Sequence, residues 1–260
     1  MDFYVIPPNS QLNLMSEGKR YFCLAQHYYN SEEYRNYFKG AKAHGHWVTL
    51  DNGAGDHDLI TEDVLMWCAQ DLMPNEIIPL DYLFDMKKTL FALQSFLEKM
   101  IEEQLIDKIE IFAVPQGNTA EEWEVCYRTM LINPYVKTLG MSKLGIPHAF
   151  LGEAKDDQGI MEARHLAVDR LIKMNYIEKP LHFLGMGNPL EMQKYIALNN
   201  PLFRSTDSCN SILSGMLGYS WEEGNFTRNK TPKNYFDLEM TKDQIALAKS
   251  NIQYLRNLLR

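Results

Sequence analysis

Eight short runs rich in β-formers alternate along this chain with stretches whose apolar residues recur at helical spacing, and that alternation is what most narrows the fold. The runs are Asp2–Ile6, Tyr21–Ala25, Trp47–Leu50, Glu76–Leu80, Ile109–Val114, Val136–Leu139, Leu181–Leu184 and Leu202–Ser205. Most are apolar on both alternate sets of positions, as strands buried on two faces must be. Helices are expected over Ser31–Ala43, Thr61–Asp71, Asp85–Leu105, Thr119–Leu131, Asp157–Met174, Pro189–Asn199 and Thr241–Leu259. The start Thr119-Ala120-Glu121-Glu122 reads as a capping box, in which the threonine and the glutamate satisfy each other's backbone N–H groups. Strands alternating with helices imply parallel pairing through right-handed crossovers. Eight such units in 260 residues predict an α/β fold, a (β/α)8 TIM-type barrel in a single domain spanning residues 1–260.

Four of the runs stop on one acid or amide. His46–Leu50 precedes Asp51, Glu76–Leu80 precedes Asp81, Ile109–Pro115 precedes Gln116, and Pro201–Thr206 precedes Asp207. A parallel barrel gathers the carboxyl ends of its strands on one face, where active sites assemble. Three carboxylates and an amide brought there would suit acid/base or nucleophilic work on a polar, uncharged ring, so an enzyme is expected. Glycines follow the same logic at Asp51-Asn52-Gly53-Ala54-Gly55, Gln116-Gly117, Leu139-Gly140 and Leu184-Gly185-Met186-Gly187. Without Cβ, each lets the backbone turn sharply or approach a flat ligand; ending a strand is the simpler role for any one of them.

Other chemistries lack their motifs. No HExxH, cysteine quartet, P-loop or GxSxG occurs, so neither a metal nor another cofactor is expected. The four cysteines, Cys23, Cys68, Cys126 and Cys209, are widely spaced and read as reduced thiols. The opening Met1-Asp2-Phe3-Tyr4 has no basic region before an apolar one, and no apolar run approaches membrane-spanning length. A soluble cytoplasmic protein, without a membrane partner, is the expectation. The net charge of −8 argues against gripping nucleic acid by bulk charge. One stretch departs from it: Asn225 to Phe236 is basic, free of acids and interleaved with aromatics, and Arg204 precedes Asp207. That stretch reads equally well as a solvated loop or as a phosphate-contacting rim.

Taken in order, the strand ends resemble those of the tRNA-guanine transglycosylase superfamily, and look most like the phage-encoded DNA transglycosylases that install 7-deazaguanines. The matching segments are Asp51-Asn52-Gly53-Ala54-Gly55, Pro79-Leu80-Asp81, Val114-Pro115-Gln116-Gly117, Leu139-Gly140-Met141, Leu184-Gly185-Met186-Gly187-Asn188-Pro189 and Arg204-Ser205-Thr206-Asp207-Ser208. They span roughly residues 46 to 210. The resemblance implies Asp207 as nucleophile at C1′ and Asp51 as general acid and base. Asp81 and Gln116 would then read the base edge, with Gly117, Gly140 and Gly185 lining the site. Arg204, Arg228, Lys230 and Lys233 would contact the polynucleotide, which must extrude a nucleotide from its stack. The implied partners are DNA, with tRNA as the alternative, and a free 7-deazaguanine base such as preQ0 or preQ1; a homodimer or a partner protein is left open. The tRNA enzymes carry a zinc site of three cysteines and a histidine after the nucleophile. Here Cys209 alone follows Asp207 and the last histidine is His182, so that subdomain is expected to be missing, which favours DNA over tRNA. A barrel that binds a purine-like ligand without turning it over is the reading from another functional class.

Overall fold

The structure is a computed structural model, and it describes residues 1–18, 20–54, 60–153, 156–226 and 230–259. Its strands are β1 (Asp2–Val5), β2 (Arg20–Leu24), β3 (Trp47–Asp51), β4 (Glu76–Ile77), β5 (Glu110–Ala113), β6 (Val136–Met141), β7 (Leu181–Phe183) and β8 (Phe203–Ser208). They form one eight-stranded sheet in the order β1-β8-β7-β6-β5-β4-β3-β2. The registers of β1 with β8, β3 with β4, β4 with β5 and β5 with β6 are all parallel. With helices between successive strands, this is the α/β, (β/α)8 TIM-type barrel fold that the alternation predicts.

The helices are α1 (Ala25–Asn30), α2 (Glu32–Ala43), α3 (Glu62–Leu72), α4 (Met86–Glu102), α5 (Ala120–Ile132), α6 (Gly145–Leu151), α7 (Asp157–Lys173), α8 (Pro189–Ala197), α9 (Asn210–Met216) and α10 (Lys242–Leu258). Seven begin on a side chain that accepts a backbone N–H: Ser31, Thr61, Asp85, Thr119, Asp156, Asn188 and Thr241. Such caps contribute about 1 kcal/mol each. The complete capping box is at Thr241, where Gln244 returns the bond. At α5 the Thr119 hydroxyl accepts from Glu122, but the Glu122 carboxylate accepts from the N–H of Asn118, one residue before the expected partner.

Strand ends depart from the sequence reading for identifiable reasons. β4 stops at Ile77 rather than Leu80. The Ile78 N–H still bonds the carbonyl of Leu50 at 2.9 Å, but Pro79 has no N–H to continue the ladder. β6 and β8 run further than expected, so Gly140 and Asp207 are strand residues and Asp207 pairs in register with Tyr4. A register shift between Ile111 and Phe112 places one extra residue on β6, a β-bulge at Lys137.

The chain divides into two compact units, Met1–Phe22 with Phe183–Arg260, and Cys23–His182. In the larger unit the core is Val48, Leu50, Ile77, Ile111, Phe112 and Leu139 from the strands and Ile78 just beyond β4, met by Leu65, Phe96, Trp123 and Val168 from helices. Buried among them is a carboxylate that the sequence reading placed in a strand but did not explain. Glu76, with no exposed surface, accepts from the hydroxyls of Thr49 (3.0 Å) and Thr138 (2.6 Å).

In the smaller unit, Phe183, Tyr195 and Phe203 stack and abut edge to face behind β7 and β8. After β8 comes α9, in a segment over which the sequence predicts no helix. A Cβ on Gly215 of α9 would lie 2.6 Å from the backbone nitrogen of Ala248, so α9 and α10 meet at their backbones. Asn251 of α10, fully buried, ties down the chain that follows: it donates to Ser211 and Tyr219 and accepts from the N–H of Trp221.

Candidate functional site

Asn52, Asp81 and Gln116, at or just after strand ends in the larger unit, form one hydrogen-bonded group. Asp51 closes β3, and its carboxylate accepts from the N–H of Gly53 at 3.2 Å. Asn52 follows with its own two-residue turn, its Oδ1 accepting from Ala54 N–H at 2.7 Å. Gly53 sits at φ +79°, and a Cβ there would also lie 2.8 Å from Oε1 of Gln26, so the turn demands glycine. The rest of the predicted loop, Gly55 to Asp56, lies outside the described residues.

Asp81 is buried, and both its oxygens are held by side-chain amides. Asn52 Nδ2 donates to Oδ1 at 2.8 Å and Gln116 Nε2 to Oδ2 at 2.6 Å. Burial pushes the carboxyl up to about 6, against the two amide bonds and its own backbone N–H, which pull it down. A carboxylic acid poised there changes charge near neutral pH, as sites of proton or donor recognition require. The Gln116 amide is itself oriented, since its Oε1 accepts from Phe84 N–H at 3.4 Å. A Cβ on Gly145 would overlap that same oxygen, so the first residue of α6 makes room for the amide. Near it lies Cys126 of α5, whose thiol is pushed up to about 12, mainly by burial and in smaller part by the Asp81 charge, against a backbone hydrogen bond at Gln116 that lowers it.

Phe84 adds an aromatic surface that sequence reading missed. It adopts φ +67°, a left-handed conformation rare for a bulky residue. The turn that forces it is fixed from both sides. The Thr89 hydroxyl bonds the N–H and the carbonyl of Tyr82, while Asp85 N–H bonds the Tyr82 carbonyl and Asp85 caps α4. The Phe84 ring, about one-third exposed, stacks 4.0 Å from the ring of His148, whose Nε2 lies 2.8 Å from Asn118 Oδ1. The signal in the sequence was slight: an aromatic just before the Asp85 cap.

Gly117 and Gly140 have structural reasons of their own. A Cβ at Gly117 would run into the backbone of Trp123 in α5, so this glycine permits helix and strand end to meet. Gly140 is buried inside β6.

In the smaller unit, Asp207 is buried near the end of β8, and its Oδ1 accepts from the N–H of Gly185 at 3.0 Å. Gly185 is in the left-handed region at φ +61°, which aims that N–H at the carboxylate. The β7–α8 connection is stitched to β8 at two more points. The Thr206 hydroxyl is shared between the carbonyls of Phe183 and Met186, 2.8 Å from each. Asn210 Nδ2 donates to the carbonyl of Gly187 at 3.2 Å. A Cβ on Gly187 would overlap Ser208 Oγ, so the contact requires glycine. The result is a carboxylate with a fixed backbone and a backbone N–H partner.

The basic residues are placed less uniformly. Arg204 lies three residues before Asp207 on β8, roughly 10 Å along the strand, and its Nε donates to Ser205 Oγ at 3.1 Å. Lys230 and Lys233 are exposed, and Arg228 lies outside the described residues. The aromatics interleaved with them turn inward. Tyr235 is buried with its hydroxyl on the carbonyl of Ile6 at 2.7 Å, and Phe226 packs against Trp221 and Tyr254. Those rings anchor the segment rather than offering stacking faces. No group of three or more histidine, cysteine, aspartate or glutamate side chains arranged for a metal occurs among the described residues. Among them, too, no helix is long and apolar enough to cross a membrane.

No family model matches the chain, and no curated protein matches it. Among solved structures it is similar to the crystal structure of citrate synthase SbnG, with a TM-score of 0.50 and 15% sequence identity, over 86% of this chain and 93% of that one. At that identity the likeness concerns the fold, and it agrees with the barrel described above.

Proposed function

We propose that this protein is an enzyme, a pentosyltransferase that exchanges guanine in DNA for a 7-deazaguanine base through a covalent aspartyl–sugar intermediate. The observation that carries the reading is the Asp81 carboxylate, buried and held by the Asn52 and Gln116 amides at strand ends. A carboxylate fixed in that way accepts from adjacent N–H groups on the edge of a guanine-like ring. The order of the strand-end motifs, described above, supports the same assignment.

In this mechanism Asp207 attacks C1′ of the target nucleotide as the bond to the guanine N9 breaks, and Asp51 gives the departing base a proton. The incoming base returns a proton to Asp51, its ring nitrogen bonds C1′, and Asp207 is released. Two displacements retain the configuration at the sugar, as in other covalent glycosyl transfers. The Gly185 N–H on Asp207 holds the attacking carboxylate in one orientation. Lys230 and Lys233, with Arg204 and Arg228, supply phosphate contacts.

The test is exchange of radiolabelled guanine and of 7-cyano-7-deazaguanine into duplex DNA and into tRNA. DNA gains label with the wild-type chain, and Asp207→Asn abolishes both the exchange and any denaturation-resistant sugar adduct. Undiminished exchange by Asp207→Asn overturns the nucleophile, and label confined to tRNA overturns the choice of DNA.

A further inference from the structure

Within the hydrogen-bonded group around Asp81, one residue has no role in the proposed chemistry and yet every polar atom of its side chain is committed. Asn52 Oδ1 accepts from Ala54 N–H at 2.7 Å, and Nδ2 donates to the Pro79 carbonyl at 2.6 Å and to Asp81 Oδ1 at 2.8 Å. The side chain is buried. Its orientation is therefore forced: a flipped amide would set oxygen against a carbonyl and a carboxylate, and nitrogen against an N–H. Each neighbour depends on it in turn. Pro79 ends the β4 ladder because it lacks an N–H, and its buried carbonyl is satisfied by Asn52 instead. Asp81 comes two residues later, so one amide fixes both the bend of the chain and the carboxylate that the bend delivers.

From this geometry we infer that Asn52 is a positioning residue: locked as a donor, it holds Asp81 as an acceptor-only carboxylate aimed at a ligand that presents N–H groups. Gln116 does the same from the other side, its amide direction set by Phe84 N–H. With both flanking amides unable to turn their oxygens toward it, Asp81 is matched to a ring edge that donates, such as the N–H and amino pair of a 2-amino-4-oxopyrimidine ring. A ring edge that accepts at those positions would face a carboxylate with nothing to give. The ligand class rests on the transglycosylase reading; the positioning of Asp81 does not.

Burial raises the Asp81 carboxyl and these two amides, with its own backbone N–H, pull it down; no neighbouring charge acts on it as strongly. Asp51 and the buried Cys23 lie on the β3 and β2 side, Cys126 on α5, Tyr82 and Asp85 in the loop that follows Asp81, and His148 on α6 beyond Gln116. Among the described residues none of them makes an ion pair with Asp81. Two effects follow for variants of nearly the same size. Asn52→Leu removes a donor and leaves Oδ1 without it. Asn52→Asp removes the donor and adds a like charge.

The decisive measurement is the ionisation of Asp81 in the ligand-free protein, followed by 13C NMR of the aspartate carboxyl carbons from pH 3 to 9 (assigned with Asp81→Asn), with thermal unfolding to establish that each variant is folded. The expected midpoints rise in the order wild type, Asn52→Leu, Asn52→Asp, the first step by about one pH unit. Calorimetry with guanine and with 7-deazaguanine near pH 7 then shows roughly tenfold weaker binding for Asn52→Leu. Midpoints for Asp81 that coincide in all three folded proteins overturn the inference. Midpoints that move as expected while neither base binds the wild type uphold the positioning role and overturn the transglycosylase reading instead.

Discussion

Two buried carboxylates five residues apart are held in opposite ways, and the contrast separates what stabilises this fold from what equips it to bind. Glu76 opens β4, at the end of a barrel where conserved structure serves stability; Asp81 follows the strand, at the end where function assembles. Glu76 is held by the hydroxyls of Thr49 and Thr138, Asp81 by the amides of Asn52 and Gln116. A hydroxyl rotates and can donate or accept as its neighbour requires. An amide whose oxygen is already engaged cannot. The Glu76 network therefore adapts to a change of its acid, whereas the Asp81 network is polarised: it accepts one charge state well and one kind of ligand edge.

The largest effect expected from breaking this contrast is at Glu76. Glu76→Ala removes the carboxylate to which both buried hydroxyls donate and opens a cavity, and should destabilise the protein by about 3 kcal/mol in denaturant titrations. Glu76→Gln should recover most of that loss, because Thr49 and Thr138 can reorient around an amide. Equal losses for the two substitutions would remove the distinction between rotating and fixed donors.

Asp81 gives the next effect, read as a slope rather than a single value. Its folded-state value of about 6 lies above the ordinary 3.8, so the folded protein holds this proton more tightly than the unfolded chain. The sign follows: the stabilisation is present in full below about pH 3.8 and is lost as pH rises through about 6. The difference corresponds to about 3 kcal/mol across that window. Asp81→Asn should flatten the decline in unfolding free energy between pH 4 and 7, measured by denaturant titration at each pH. A decline that persists unchanged would assign it to other groups.

The same contrast explains how far the sequence could be read. All eight strands were legible because strands buried on two faces need apolar, β-branched or aromatic residues throughout, and Ile111, Phe112 and Ala113 of β5 show that pattern plainly. Helix starts were legible for a local reason: Ser31, Thr61, Asp85, Thr119 and Thr241 cap within three residues of themselves. Asp81 and Gln116 stood out as polar residues ending apolar runs. What sequence could not supply was direction and partnership at a distance. That Asn52 would serve Asp81, 29 residues away, and that Thr138 would serve Glu76, 62 residues away, depends on the register of the sheet. Short helices such as α6 and α9 escaped because seven residues carry too little periodicity to declare themselves. The basic stretch from Asn225 to Phe236 could be read as a solvated loop or a phosphate-contacting rim, since spacing does not reveal that Tyr235 is tied to Ile6.

The smallest expected effect isolates the fixed amide without touching any polar group. Gly145 and Gly40 both lie in helices, α6 and α2, where alanine is ordinarily preferred by about 1 kcal/mol. Nothing lies near a Cβ at Gly40, so Gly40→Ala should stabilise the protein by up to that amount. At Gly145 the added methyl overlaps Gln116 Oε1 and comes within 3.2 Å of Ser142 Oγ, whose hydroxyl accepts from Gly145 N–H. Gln116 must then shift, and since its Oε1 also accepts from Phe84 N–H and its Nε2 serves Asp81, the displacement passes to both. Gly145→Ala should therefore cost about 1–3 kcal/mol as overpacking. It should also weaken binding of a guanine-like base, while Gly40→Ala leaves that binding unchanged. A Gly145→Ala protein that is as stable as Gly40→Ala and binds as the wild type does would mean that the Gln116 amide has room to move, and the polarity argued for Asp81 would lose one of its two supports.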